Sequence, residues 1–553
     1  MRAVFATGFP ALRLSGGAPL LIFAVQDENG LKAMAPEKFK TMPAKPGGLF
    51  VPGPERQFAI VRLDLVASGS YAIVYHEYVH SLLHLNFRWL PTWLDEGLAE
   101  FYAHTRFEGE KIYIGAPPRE VNYLQRRTLI PLETLLKVSP YRFYRGDEGQ
   151  IATFYSEAWA LVHYMIFSPD MEHGKKLGHF YNQLQAGEDQ LKAFREDFGD
   201  LKTLESALYR YISAFTFQSW VTESPASIQE KDFSVRKMSK AESMAEIASF
   251  RLWNRDESEA TPLVEEALKQ EPNLAVAHEE MGFIYFQDGK DQDALREFHR
   301  AYDLDKQRYL SQYFATMLAG HTDTAAGREA VRAGLLETTK LNPDFAHAYA
   351  QLAKLEFVDG RGVEALTLSR KAEALQPSVA GYHLLSGQIL LGLKKEKEAA
   401  EHAQWVAERW ESSDHNEAVA LWNRVPEASR PVGTTIVEEL QPQSKSAEGT
   451  ILSVTCGEKG RKDVSLQHDD EVLTFHSKGA QAIGFSDTIW YGINHLNLCY
   501  HVEGMHAVVR YRPPIGNEYT GDWLWIELRD ALPPVRDATH DHDASKDSPA
   551  KKE

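Results

Sequence analysis

Cysteine is nearly absent. The chain of 553 residues holds two, Cys456 and Cys499. Two thiols are too few for a disulfide framework, so a hydrophobic core has to carry the fold. They can pair in an oxidising compartment or stand as half-buried thiols of a small β domain, and the sequence leaves both open. Long apolar runs are missing too. No stretch reaches the roughly 18 residues of a spanning helix, and no integral membrane segment is expected. Basic charge is in deficit: 60 Lys and Arg stand against 78 Asp and Glu, a net charge of −18. Phosphate-backbone recognition needs a basic surface, so nucleic acid is not an expected partner. Near the N-terminus the apolar stretch LLIFAV (20–25) is short, and no small-residue cleavage site follows it. It reads as a strand entering a domain rather than a signal peptide. A cytoplasmic location is therefore the default expectation, with a periplasmic or envelope location open if the chain begins upstream.

What is present is an ordinary globular composition, 43% hydrophobic and 25% charged. At roughly 150 residues per domain the length allows three or four domains. Residues 20–66 look β-rich, with LLIFAV, GGLFVPG and RQFAIVRLDL as candidate strands; the last alternates through Ala59, Val61, Leu63 and Leu65. It is a candidate sheet edge for pairing with an extended peptide. From 70 to 220 the apolar residues recur at three- and four-residue spacing, as in amphipathic helices. Strands followed by helices predict an α+β domain over 1–220. A polar linker is placed at 221–240.

Between 241 and 415 the pattern becomes paired helices with a period near 34 residues. In one unit Gly282, Tyr285, Ala294, Phe298 and Ala301 occupy the small and aromatic positions of a tetratricopeptide repeat. Neighbouring units supply Ala248, Ala260, Ala267 and Pro272, then Ala353, Ala365, Ala372 and Pro377, then Gly387 and Ala399. Small residues suit close helix crossings, and prolines end each second helix. The stretch 308–343 departs from the pattern. Residues 432–535 alternate short β-like runs with turns, as in a small barrel or sandwich, whose aromatic residues Trp490, Tyr491, Trp523 and Trp525 read as core. The tail, 536–553, lacks a core pattern and is expected to be disordered.

The chemistry concentrates in HEYVH, His76 to His80. Residues four apart share a helix face, so both imidazoles can address one ion while Glu77 reaches a water on it. A chance match to this motif in such a chain is of order 5%, so its context has to decide. Ile73, Val74 and Val79 support a buried helix, and no Pro or Gly interrupts 71–85. After NFRWLP comes TWLDEGLAEFY, with Glu96 and Glu100 again four apart. A helix–loop–antiparallel helix brings Glu96 to the two histidines as a third ligand and Glu100 to a ligating imidazole. Asp95 is expected to face elsewhere, toward solvent or as a cap. His84 and His104 read as surface or core residues. Tyr155 is the candidate donor to a developing oxyanion, with His163 and Tyr164 as rivals.

HEYVH followed by LPTWLDEGLAEFY resembles the gluzincin clan of zinc peptidases, closest to bacterial peptidase-MA-like domains joined to tetratricopeptide repeats. The likeness spans roughly 15–220. It implies a zincin-like α+β fold with a Zn2+ ion on His76, His80 and Glu96. It also implies Glu77 as general base, a peptide or protein substrate and protein partners on the repeats. The alternative weighed is a non-catalytic repeat scaffold with a vestigial or structural metal site.

Overall fold

The computed structural model describes the chain apart from residues 1–3, 6–11, 15, 17, 37–47, 52–55, 69–70, 119–120, 125–127, 139–147, 215, 224–233, 255–256, 321–323, 438–444, 458–460, 478–482, 486–497, 501, 514–519 and 530–553. Trp490, Tyr491 and the tail 536–553 lie outside the described residues. The chain divides into two compact units, one of Met1–Met238 with Gln376–Ser378, the other of Ser239–Leu375 with Val379–Glu553.

The first unit opens with strand β1 (Leu20–Val25), helix α1 (Glu28–Met34), and strands β2 (Gly48–Val51) and β3 (Gln57–Arg62). Their sheet runs β1-β3-β2, with β3 parallel to β1 and antiparallel to β2. The expectation of an edge strand at 56–65 fails here, because β3 is central. Phe58 and Ile60 are buried together with Ala59 and Val61, so both faces are covered. Such a continuous apolar run is the mark of an inner strand. α1 adds a helix to the β-rich stretch 20–66; Asp27 caps it by accepting from the Gly30 N–H.

Helices α2 (Ala72–Asn86) and α3 (Thr92–Ala103) follow, then strands β4 (Arg106–Glu108) and β5 (Lys111–Ile114), and helices α4 (Val121–Leu124) and α5 (Leu132–Leu136). Helix α6 (Glu148–Phe167) lies in the middle of the helical core, with Trp159, Leu161, Val162 and Met165 fully buried. Helices α7 (Lys175–Gln185), α8 (Gln190–Phe198) and α9 (Leu201–Ser213) complete this layer. Strand β6 (Trp220–Glu223) pairs with β5, so residues 221–223 of the expected linker belong to a sheet.

The second unit begins with helical hairpins: α10 (Lys240–Trp253) with α11 (Glu257–Gln270), α12 (Ala275–Gln287) with α13 (Asp291–Leu304), α14 (Tyr309–Ala319) with α15 (Ala325–Leu341), α16 (Ala346–Val358) with α17 (Gly362–Leu375), and α18 (Ala380–Gly392) with α19 (Glu396–Ala407). Helix α20 (Ser412–Arg424) follows. First helices begin at 240, 275, 309, 346 and 380, so the period read in the sequence is that of the hairpins. These are tetratricopeptide-like repeats. A Cβ on Gly282 would lie 2.7 Å from the Phe298 ring, which is why that crossing takes glycine. The atypical stretch 308–343 forms a hairpin too, but its close contact sits elsewhere: a Cβ on Gly334 would run into Thr316.

A six-stranded sheet ends the described chain: β7 (Lys445–Cys456), β8 (Lys462–His468), β9 (Glu471–His476), β10 (Ile483–Phe485), β11 (His506–Arg512) and β12 (Gly521–Arg529), in the order β10-β12-β11-β7-β8-β9. β9 also pairs with β12, which curls the sheet into a small barrel. The sequence reading passed over β8, whose only inward apolar residues are Val464 and Leu466. Trp523 is buried, and its indole N–H donates to the Lys462 carbonyl at 2.9 Å. Cys456 and Cys499 form a disulfide that ties the end of β7 to the segment before β11. Among the described residues no helix is long and apolar enough to cross a membrane.

Candidate metal centre

α2 and α3 run antiparallel, and the turns that face each other carry the histidines and the acids. His76 Nε2 and His80 Nε2 lie 3.0 Å apart, and Glu96 Oε2 is 3.2 Å from each. These three atoms make a near-equilateral triangle. Ligands of a tetrahedral ion bonded at 2.0–2.1 Å are spaced by about 3.3 Å, so the triangle is close to one face of such a polyhedron.

The far edges of both rings meet carboxylates. His80 Nδ1 is 3.0 Å from Asp95 Oδ1, and His76 Nδ1 is 3.1 Å from Glu100 Oε1. With the rings neutral and a proton on each Nδ1 toward its acid, the Nε2 lone pairs turn toward each other and toward the Glu96 oxygen. Three acceptors in contact repel unless a proton or a metal ion joins them. That donor set, two imidazoles and a carboxylate, fits zinc. The outer acids are held in turn: Asp95 Oδ2 is 2.9 Å from His84 Nε2, and Glu100 Oε2 is 3.2 Å from His104 Nε2. His80, His84 and Asp95 also converge, but there each ring nitrogen has its own carboxylate oxygen, and no ion is needed to reconcile them.

The surrounding carboxylates favour the charged form of both rings. Burial pushes the His76 imidazolium down, yet its contacts with Glu100 and Glu96 carry it up to about 9. His80 is likewise raised, because Asp95 and Glu96 outweigh its burial. Burial resists ionisation of Glu100, but His104 and His76 bring it down to about 2. Glu77, beside His76 on α2, is displaced upward by burial, against the pull of His76 and His80.

Asp95 corrects the sequence reading. It does not face away; it holds His80 and His84. Adjacent helix residues diverge by about 100°, but an imidazole is wide enough to present Nε2 to Glu96 and Nδ1 to Asp95. His84 is exposed and pairs with Asp95, while His104 is partly buried against Glu100. Tyr155 on α6 sets its ring 5.8 Å from the His76 ring, edge to face. The rivals sit elsewhere. His163 Nε2 lies 2.9 Å from the Gln218 carbonyl and its Nδ1 2.7 Å from the Tyr211 hydroxyl, and burial brings the imidazolium down to about 4. Tyr164 points its hydroxyl toward Asp170.

One glycine sets how closely α3 meets α6. A Cβ on Gly97 would stand 2.6 Å from Val162 Cγ2 and 2.7 Å from the Ala158 carbonyl oxygen. Its absence lets the helix that carries Glu96 lie directly against the one that carries Tyr155.

Fold and site together define an α+β unit with a candidate three-ligand metal centre, joined to tetratricopeptide-like repeats. Residues 70–184, which hold every residue of the centre and Tyr155, match a family described as "Protein of unknown function (DUF1570)". No curated protein matches the chain. Similar solved structures include a MamA protein, at 17% identity over 34% of this chain and 98% of that one, with a TM-score of 0.25. They also include a thermophilic TPR protein of Thermus thermophilus, at 14% identity over 33% and 98%, with a TM-score of 0.28. YrrB, described as a TPR protein with an unusual peptide-binding site, is similar at 16% identity over 32% and 89%, with a TM-score of 0.26.

Proposed function

We propose that the first unit is a zinc-dependent peptidase, most simply an endopeptidase, and that the repeats bind its protein substrates or partners. The observation that carries this reading is the convergence of His76 Nε2, His80 Nε2 and Glu96 Oε2 at 3.0–3.2 Å. These three residues would hold the ion, and Asp95 and Glu100 would orient the two rings by their contacts at Nδ1. Bound zinc supplies Lewis-acid polarisation of the scissile carbonyl and lowers the pKa of water toward about 7. Glu77, displaced upward by burial, is suited to take a proton at neutral pH and to hand it to the leaving amine. Tyr155, whose ring lies 5.8 Å from that of His76, is the candidate donor to the oxyanion that develops at that carbonyl.

The test is Glu77→Gln in the full chain. Zinc content is expected to hold while hydrolysis of an unfolded protein such as casein falls by about 10²–10⁴-fold. A variant that cleaves as fast as the parent removes Glu77 from the mechanism. The repeats favour a second reading, a protein-binding scaffold whose metal site is structural. Under that reading zinc-loaded parent and Glu77→Gln chains are equally inert toward peptides.

A further inference from the structure

A second cluster of metal-binding side chains lies in the repeats and is independent of the first. Glu373 near the end of α17, His383 on α18 and His402 on α19 each bring one donor atom within 4.8 Å of the other two. Three helices from two consecutive hairpins therefore meet at this point. His383 is 1% exposed, in the interior of the solenoid. Its Nδ1 lies 3.5 Å from Glu373 Oε2. A hydrogen bond between a ring nitrogen and a carboxylate closes to about 2.7–2.9 Å, whereas two ligands of one tetrahedral ion stand about 3.3 Å apart. The gap is close to that of two ligands of one ion. The other carboxylate oxygen, Glu373 Oε1, is buried and takes no hydrogen bond. A buried carboxylate is costly unless a cation or hydrogen bonds compensate it.

Repeat packing brings His402 inward. A Cβ on Gly387 would sit 3.1 Å from His402 Cβ and 2.7 Å from a Leu421 methyl, so the small residue of this unit is what admits the α19 histidine. The two imidazole centroids are 6.3 Å apart. The three donor atoms, all within 4.8 Å of one another, would draw in to about 3.3 Å to share a tetrahedral ion.

We infer that Glu373, His383 and His402 form a second divalent-metal site, of the borderline class that zinc exemplifies, which clips the second helix of one repeat to both helices of the next. Two imidazoles with one carboxylate select zinc-like ions over calcium or magnesium, which take oxygen ligands. The site lies wholly in the second unit, so it stands whether or not the first unit is a peptidase.

The experiment titrates Zn2+ alone into the full chain with His76→Ala and His80→Ala, which removes the first centre. About one equivalent is expected to remain, and zinc is expected to raise the unfolding temperature. Glu373→Gln, which keeps the shape of the side chain, and His402→Gln should each bring that equivalent below about 0.2 and abolish the thermal shift. Calcium should produce neither effect. Uptake below about 0.2 equivalent before any change in the repeats overturns the site. So does uptake that both repeat variants leave unaltered. Should the double-alanine chain not fold, the difference between parent and Glu373→Gln decides: about one equivalent supports the site, and none overturns it.

Discussion

Asp95 offers the sharpest test of how the candidate centre is held together. Its carboxylate lies 3.0 Å from His80 Nδ1, on the edge opposite the proposed metal-facing nitrogen. Asp95→Asn keeps size and shape and removes the charge. A hydrogen bond to a charged group contributes about 1.5–3 kcal/mol, and one between neutral groups about 0.5–1.5 kcal/mol. The expected loss is therefore about 1–2 kcal/mol of preference for the ligating form of His80. That corresponds to zinc binding weakened roughly 5–30-fold. His84 is the control. Its side chain is 52% exposed, and it meets the outer oxygen of Asp95 and the edge of the His80 ring without reaching Nε2 of His80 through a hydrogen bond, so His84→Ala should cost less than about threefold. Zinc affinity is read by competition with a chromogenic chelator at neutral pH, in chains that also carry Glu373→Gln so that one site reports. If Asp95→Asn and His84→Ala weaken zinc equally, or neither does, the claim that Asp95 positions His80 is refuted.

Two predictions concern the frame around the centre. Glu157 on α6 is fully buried and accepts from the Ile130 N–H at 2.8 Å, and burial pushes its carboxyl up to about 8 from an ordinary 4.5. The folded chain thus keeps a proton that the unfolded chain loses, and stability falls as pH rises from 4.5 to 8, by at most about 4–5 kcal/mol from this group. Glu157→Gln should gain on the parent across that window in urea melts, and a pH-independent difference between the two would contradict this. Gly97→Ala places a methyl against the Ala158 carbonyl and Val162. Overpacking of about 1–3 kcal/mol exceeds the helix-propensity gain of about 1 kcal/mol, so the melting temperature should drop and zinc affinity with it. Unchanged values for both would mean that α3 need not lie so close to α6.

Much of the centre was legible in the sequence because helix periodicity is rigid. Spacings of four residues, in HEYVH and again from Glu96 to Glu100, put the right atoms on the right faces, and only one antiparallel turn had to be supplied. Asp95 was missed because the reading treated each ligand as a point and overlooked the two edges of an imidazole. Tyr155 and His163 were hard to rank because both lie on α6. Eight residues separate them by about 12 Å along the axis, and only the packing of α3 shows which end meets His76. The repeats were readable from small residues at fixed phase, except at 308–343, where Gly334 moves the close contact to another turn. The place of β3 in its sheet was misread because alternation was counted while the apolar residues between, Phe58 and Ile60, were not. The Glu373, His383 and His402 cluster carries no motif, since its members come from three helices.

Anomalous diffraction at the zinc edge, from crystals of the full chain grown with zinc, tests the central claim most directly. A peak is predicted about 2.0–2.2 Å from His76 Nε2, from His80 Nε2 and from a Glu96 carboxylate oxygen. Zinc-soaked crystals with no peak there, or with the Glu96 carboxylate turned away from both imidazoles, would contradict the account.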